Sequence, residues 1–174
     1  MLAYVFWHWP RPGLEPDRYA DALLAFHRAL AATAPEGYRG SRVLLVSPTP
    51  WLPVPRAYED WYLLDGFGAL GALNEAAVTG ARKEPHDGAA RLVQGGAGGL
   101  YRQLREGDME SPEPVTWFDK PAGVPYPDFL EEVPPAELWQ RQLVLGPAPE
   151  FRLAGALVPA AAAAPRAVEV RRLY

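Results

Sequence analysis

The chain reads as an α+β protein built on antiparallel sheets that are covered on both faces. Two strand-like stretches and one order of elements lead there. In Tyr58–Gly66, alternation puts Tyr58, Asp60, Tyr62 and Leu64 on one side and Glu59, Trp61 and Leu63 on the other. A strand with one solvent face is polar on that face, and here both faces carry rings or aliphatics. Leu2–Trp9 repeats the pattern, with Tyr4, Phe6 and His8 opposite Val5, Trp7 and Trp9. From Leu2 to Thr79 the elements run strand, helix, strand, strand, helix, the order of a ferredoxin-like unit.

Each element has a local reason. Pro10-Arg11-Pro12-Gly13 stops the first strand, because proline cannot donate to the ladder. Pro16–Thr33 is a helix. Pro16 suits its first position and Asp17 its positive end, and Tyr19, Leu23, Phe26 and Leu30 form one apolar stripe. Pro35 and Gly37 end it. Arg42–Ser47 is a short aliphatic strand. Pro48, Pro50, Pro53 and Pro55 then force an irregular but ordered loop that offers Trp51 and Leu52 for packing.

Asp65 is the expected N-cap of a helix over Phe67–Thr79, with Leu70, Leu73 and Ala77 inward and Gly80 as its stop. His86-Asp87 is expected to start a further helix, weakened by Gly95–Gly99 and resumed over Leu100–Arg105. Gly107–Pro114 is expected as a surface loop. Val115–Lys120 is a strand and Tyr126–Val133 a short helix closed by Pro134-Pro135. Leu138–Leu145 and Glu150–Leu153 form a hairpin around Gly146-Pro147. The bland run Ala160–Ala164, between Pro159 and Pro165, reads as a linker. In Ala167–Leu173, Val168 and Val170 alternate with charged residues, the pattern of an edge strand with one wet face.

Arg11-Pro12-Gly13-Leu14-Glu15-Pro16, followed by Tyr19, Leu23, Phe26 and His27, resembles the opening of EthD-like members of the dimeric α/β-barrel superfamily. There a strand runs into an Arg-Pro-Gly-Leu-x-Pro loop and a helix whose stripe ends beside a histidine. The resemblance implies two ferredoxin-like sheets with helices outside, paired into a barrel, either within one chain or between two. At an offset of 110, Val5 aligns with Val115, Trp7 with Trp117, Gly13 with Gly123 and Tyr19 with Phe129. Residues 1–174 are therefore expected as one compact domain with pseudo-repeat halves 1–107 and 115–174. Duplication and shared local chemistry both explain the echo.

Composition narrows the chemistry. With 49% hydrophobic and 22% charged residues, the chain is expected to fold as a globule. A net charge of -4 with no basic run argues against a nucleic-acid partner. The absence of cysteine excludes thiolate metal sites and fits a cytoplasmic location. No run approaches the roughly 20 apolar residues of a membrane helix, and Leu2–Trp9 lacks the basic flank of an export signal. A chain with 20 prolines and one asparagine, Asn74, is compatible with heat adaptation.

The candidate site is the ring-rich strand set. His8 and Asp60 are the candidate catalytic pair for proton transfer, with Asp60 expected to have a raised pKa among the rings. Tyr4, Tyr58, Trp61, Trp117 and Asp119 are the candidate ligand-binding residues of an aromatic-lined cleft for a flat organic molecule. Two alternatives stand beside this reading: a structural or interaction protein whose rings are consumed by sheet packing, and a barrel that holds haem, as related barrels do. Otherwise no cofactor is expected. His8, His27 and His86 lack zinc spacing, so no metal is expected either. Gly95–Gly99 lacks the strand and Gly-Lys-Ser/Thr ending of a phosphate loop, and no Gly-x-Ser-x-Gly elbow occurs. A homodimer is an open expectation.

Overall fold

The computed structural model describes residues 1–107, 114–156 and 158–174. The elements are β1 (Leu2–Pro10), α1 (Pro16–Ala32), β2 (Tyr38–Ser47), β3 (Ala57–Leu64), α2 (Phe67–Ala77), α3 (Lys83–Ala90), β4 (Val93–Arg105), β5 (Val115–Asp119), α4 (Tyr126–Glu132), β6 (Leu138–Arg141), β7 (Phe151–Ala154) and β8 (Ala163–Arg172). The eight strands close into one antiparallel barrel within the chain, in the order β1-β3-β2-β8-β5-β7-β6-β4. The expected Gly107–Pro114 loop falls largely outside the described residues.

The barrel is two sheets of like topology joined at two seams. Within the first, the order is β4-β1-β3-β2; within the second it is β8-β5-β7-β6. Both are the first strand flanked by the fourth and third, with the second outermost. β2 pairs with β8 and β4 with β6 to close the ring. Facing Trp7 on β1 is Glu59 on β3, and facing Trp117 on β5 is Arg152 on β7. Gly13 and Gly123, at φ 78° and 80°, make matching turns before α1 and α4.

The barrel interior is filled. Trp7, Trp61, Trp117, Trp139 and Tyr101 are fully buried there with Val5, Val115 and Val168. Trp51 from the proline-rich loop packs on this core, with its ring 5.3 Å from that of Trp117. Glu59 is the acceptor that makes so many indoles tolerable: Trp7 donates to its Oε2 at 2.6 Å and Trp61 to its Oε1 at 2.7 Å. Burial pushes the Glu59 pKa up, against the pull of the Arg152 charge and the two indole donors. Arg152 lies 4.9 Å over the Trp61 ring and 3.8 Å from Glu137, which in turn accepts from Trp139.

Four sequence expectations are corrected. First, Gly95–Gly99 and Leu100–Arg105 belong to one long strand, β4, and not to a helix. Its missing side chains make room for rings of β1. A Cβ at Gly95, Gly96 or Gly98 would come within 2.6, 2.6 or 2.8 Å of Trp9, Phe6 or Tyr4. The glycines therefore read as weak helix only until the strand beside them is known.

Second, β8 is not an edge: it pairs with β2 on one side and β5 on the other. Its alternation reports a wet face, and a barrel strand has one without being terminal. The end of the Ala160–Ala164 run enters it. Third, Asp65 does not cap α2; Gly66 holds that position, and Asp65 is held by Arg39 through a two-pronged pair at 2.5 and 2.9 Å. Fourth, α3 begins before His86, which lies inside it.

Candidate functional site

The outer face of the first sheet, under α1, α2 and α3, bounds a cleft of about 900 Å³. Its walls are mostly apolar, from Leu23 and Phe26 on α1, Leu70 and Leu73 on α2, and Ala89 on α3, with Asn74 on α2 and His86 on α3 as their polar members. Its floor is ring and glycine: Tyr4 and Phe6 stack at 16° and lean over Gly98 and Gly96. No Lys or Arg lines it among the described residues. The most deeply buried of its polar residues are His8, 1% exposed, and Asp60, 2% exposed.

These two follow from strand alternation. β1 points Tyr4, Phe6 and His8 outward, and β3 points Tyr58, Asp60 and Tyr62 the same way. His8 stacks on Tyr58 at 12°, and His27 from α1 stacks on Tyr62 at 15°. The two imidazoles thus flank Asp60 from opposite ends of β3. His8 Nε2 and His27 Nε2 each lie 3.1 Å from Asp60 Oδ2, and the Tyr62 hydroxyl donates to that oxygen at 3.2 Å. Flanking does not make a chelate: among the described residues no group of three His, Asp or Glu is placed to hold a metal ion.

Each imidazole is backed by hydroxyls. His8 Nδ1 lies 2.6 Å from the Tyr19 hydroxyl. His27 Nδ1 lies 2.7 Å from Ser41 Oγ, which accepts from the Tyr38 hydroxyl at 2.6 Å. Tyr38 spends its proton on Ser41, so Ser41 gives its own to His27 Nδ1, and His27 Nε2–H faces the carboxylate. Burial acts to raise the Asp60 pKa, but the nearby charges of His8 and His27 outweigh it, so Asp60 is held well below the usual carboxylate range. The expectation of a raised value is reversed, because imidazoles rather than bare rings surround the group. Tyr19 and Tyr62 are raised by burial and by the Asp60 charge, and keep their protons.

The second sheet supplies an internal control. There the three rings at the matching positions are Phe118, Phe151 and Phe129. Phe118 stacks on Phe151 at 14° and meets Phe129 at 63°. In the first sheet His8 stacks on Tyr58 at 12° and meets Tyr19 at 69°. Tyr19 and Phe129 are each the fourth residue of their helix. The register that opposes Trp7 to Glu59 and Trp117 to Arg152 sets Leu153 where Asp60 stands. Hydrocarbon alone therefore builds this packing, and the polar atoms of the first cluster are surplus to it.

Of the residues singled out from sequence, His8, Asp60 and Tyr4 line the cleft, and Tyr58 supports His8 from beside it. Trp61 and Trp117 point through the sheet into the barrel core. Asp119 lies at the end of β5, accepting the Glu150 backbone N–H at 2.8 Å. The interior between the sheets is filled, and the cleft lies outside it, over the first sheet. Sequence reasoning set aside His27 without a role and passed over Tyr19 and Ser41. The helix spacing that put Tyr19 and His27 on the sheet-facing side of α1 was the available signal.

A scan against protein-family models, a search of curated proteins and a search of solved structures each found no match to this chain.

Proposed function

We propose that this barrel protein binds a flat, largely apolar small molecule in the cleft over its first sheet, with His8 and Asp60 as the polar contact. The observation that carries the reading is the pair of unpartnered atoms. Of the buried side-chain nitrogens and oxygens without a hydrogen-bond partner among the described residues, His8 Nε2 and Asp60 Oδ1 are the two on residues that line the cleft. At 3.1 Å from Asp60 Oδ2, His8 Nε2 is close enough for attraction but is not aligned for a hydrogen bond. Leaving a buried polar atom unmet costs about 1–3 kcal/mol, and the all-phenylalanine counterpart has no such cost. A site that retains it has a use for it.

In this reading Asp60 is an ionised acceptor that holds two imidazoles in place. A proton moving to or from the ligand passes through His8, with Tyr19 behind it. The resemblance of Arg11–His27 to EthD-like proteins fits a barrel of two ferredoxin-like sheets, and that kinship is part of the proposal. The rival, a purely structural barrel, is favoured by the filled interior, but it leaves the outer cleft and its unmet atoms without a role.

The test uses Gly71. It lines the cleft, and a Cβ there meets nothing within 4 Å. Gly71→Trp fills the space from a helix position. Ligand-observed NMR with a panel of planar aromatic compounds is expected to find binders to the native chain and none to the variant. Binding unaffected by the tryptophan would move the site elsewhere, and an empty panel would leave the structural reading in possession.

A further inference from the structure

We infer that the cleft selects an uncharged planar molecule bearing a hydroxyl on a ring or enol carbon, that hydroxyl donating to Asp60 Oδ1 and accepting from the Nε2–H of His8. The inference rests on reading the cleft as a small-molecule site and goes beyond it by naming the ligand's functional group.

Proton positions come first. His8 Nε2 sits 3.1 Å from a carboxylate oxygen. A bare nitrogen lone pair at that distance from an anion would be repelled, so Nε2 carries the proton. In the neutral ring Nδ1 then accepts from the Tyr19 hydroxyl at 2.6 Å; in the charged ring Nδ1–H donates to it, and Nε2–H is present in both. The result is a donor, Nε2–H, beside an acceptor, Oδ1, on adjoining groups. Both are buried; Oδ1 meets no donor among the described residues, and Nε2–H faces Oδ2 without the alignment of a hydrogen bond.

The other oxygen of the carboxylate is already engaged. Oδ2 faces His27 Nε2 at 3.1 Å and accepts from Tyr62 at 3.2 Å. Only Oδ1 is left without a donor. A hydroxyl gives a proton to Oδ1 and takes one from Nε2–H, with no polar hydrogen left over. An ammonium has no lone pair for His8. A carboxylate or phosphate brings negative charge to Asp60, with no Lys or Arg lining the cleft to offset it. A primary amide satisfies both atoms but leaves a second N–H against mostly apolar walls. An ether oxygen accepts from His8 and leaves Oδ1 unmet.

The body of the molecule is set by the floor. Tyr4 and Phe6 lie nearly parallel over glycines of β4, and the lining is mostly apolar, so a flat apolar ring system covers it best.

The experiment is calorimetric titration of the full chain with 2-naphthol, 2-methoxynaphthalene, naphthalene, 2-naphthamide and 2-naphthoate. The expected result is 2-naphthol binding about tenfold or more tighter than each of the others, the scale of one charge-assisted hydrogen bond. The double variant His8→Phe/Tyr19→Phe, which copies the ring packing of the second sheet, should keep a smaller preference for 2-naphthol over its methyl ether, the part that Asp60 Oδ1 supplies. Equal binding of naphthol, ether and naphthalene to the native chain would overturn the hydroxyl assignment while leaving the cleft as a site for flat molecules. Tightest binding of the amide or the carboxylate would overturn it in favour of those groups. A double variant that keeps the full naphthol preference would remove His8 from recognition. No binding by any of the five would overturn the inference and the reading beneath it together.

Discussion

At the scale of single residues, the first cluster differs from the second by atoms that packing does not require. His8, Tyr19 and Asp60 stand where Phe118, Phe129 and Leu153 stand in the other sheet. Removing both members of the His8–Tyr19 hydrogen bond at once leaves no orphan between them. His8→Phe/Tyr19→Phe/Asp60→Leu, which completes the second-sheet set and leaves no buried carboxylate short of a partner, is therefore expected to unfold in urea within about 1 kcal/mol of the native chain. A loss of several kcal/mol would make the cluster structural. Glu59 is the opposite case, because its two oxygens each receive an indole proton. Glu59→Gln turns one of those oxygens into an amide N–H facing an indole N–H. The expected cost is about 1–3 kcal/mol, read from the urea midpoint. No loss would mean that the tryptophans find other acceptors.

At the scale of elements, β4 and β1 form one composite surface. The strand without side chains is paved by the rings of its neighbour, with Phe6 opposite Gly98 and His8 opposite Gly96 in the ladder. Gly98→Val would put branched carbon where the Tyr4 ring lies 2.8 Å from the Cβ position. The ring must turn away, which is expected to cost about 1–3 kcal/mol and to weaken binding of any flat ligand. Denaturant unfolding and calorimetry on the same variant separate the two effects. A variant as stable as the native chain would show that Tyr4 has other room. β8 makes the complementary point: its pairing with β2 is one of the two seams that close the ring.

At the scale of the whole molecule, the barrel has a filled core inside and a cleft outside, and the buried acid in each is shifted in the opposite direction. Asp60, with its pKa lowered by His8 and His27, contributes stability that is present above its ordinary value of 3.8 and is lost as pH falls through its lower folded value. Glu59, with its pKa raised by burial, contributes stability that is complete below its ordinary value of 4.5 and is lost as pH rises through its higher folded value. The stability gap between the native chain and Asp60→Asn is thus expected to be level at neutral pH and to shrink in acid below 3.8. Urea midpoints measured across that range check the sign. A gap that widens in acid would mean that Asp60 is not held ionised by its imidazoles.

Much of this was legible in the chain. Bulk on both faces of Leu2–Trp9 and Tyr58–Gly66 required cover on both sides, and a closed barrel with helices outside is one way to supply it. Offset positions such as Trp7 and Trp117 share a core, as their spacing suggested, and the ladder of β3 sends Asp60 to the same face as His8. Local alternation and helical stripes determined these because they depend on neighbours a few residues away. Tertiary structure alone decided that β4 is a strand, since its glycines acquire their reason from rings on β1, far away in sequence. It also decided which face of β3 is core and which is cleft, because alternation sorts side chains into two sets without saying what lies over either. The ionised state of Asp60 was decided in the same way, by a histidine from a helix and another from a strand meeting at one oxygen.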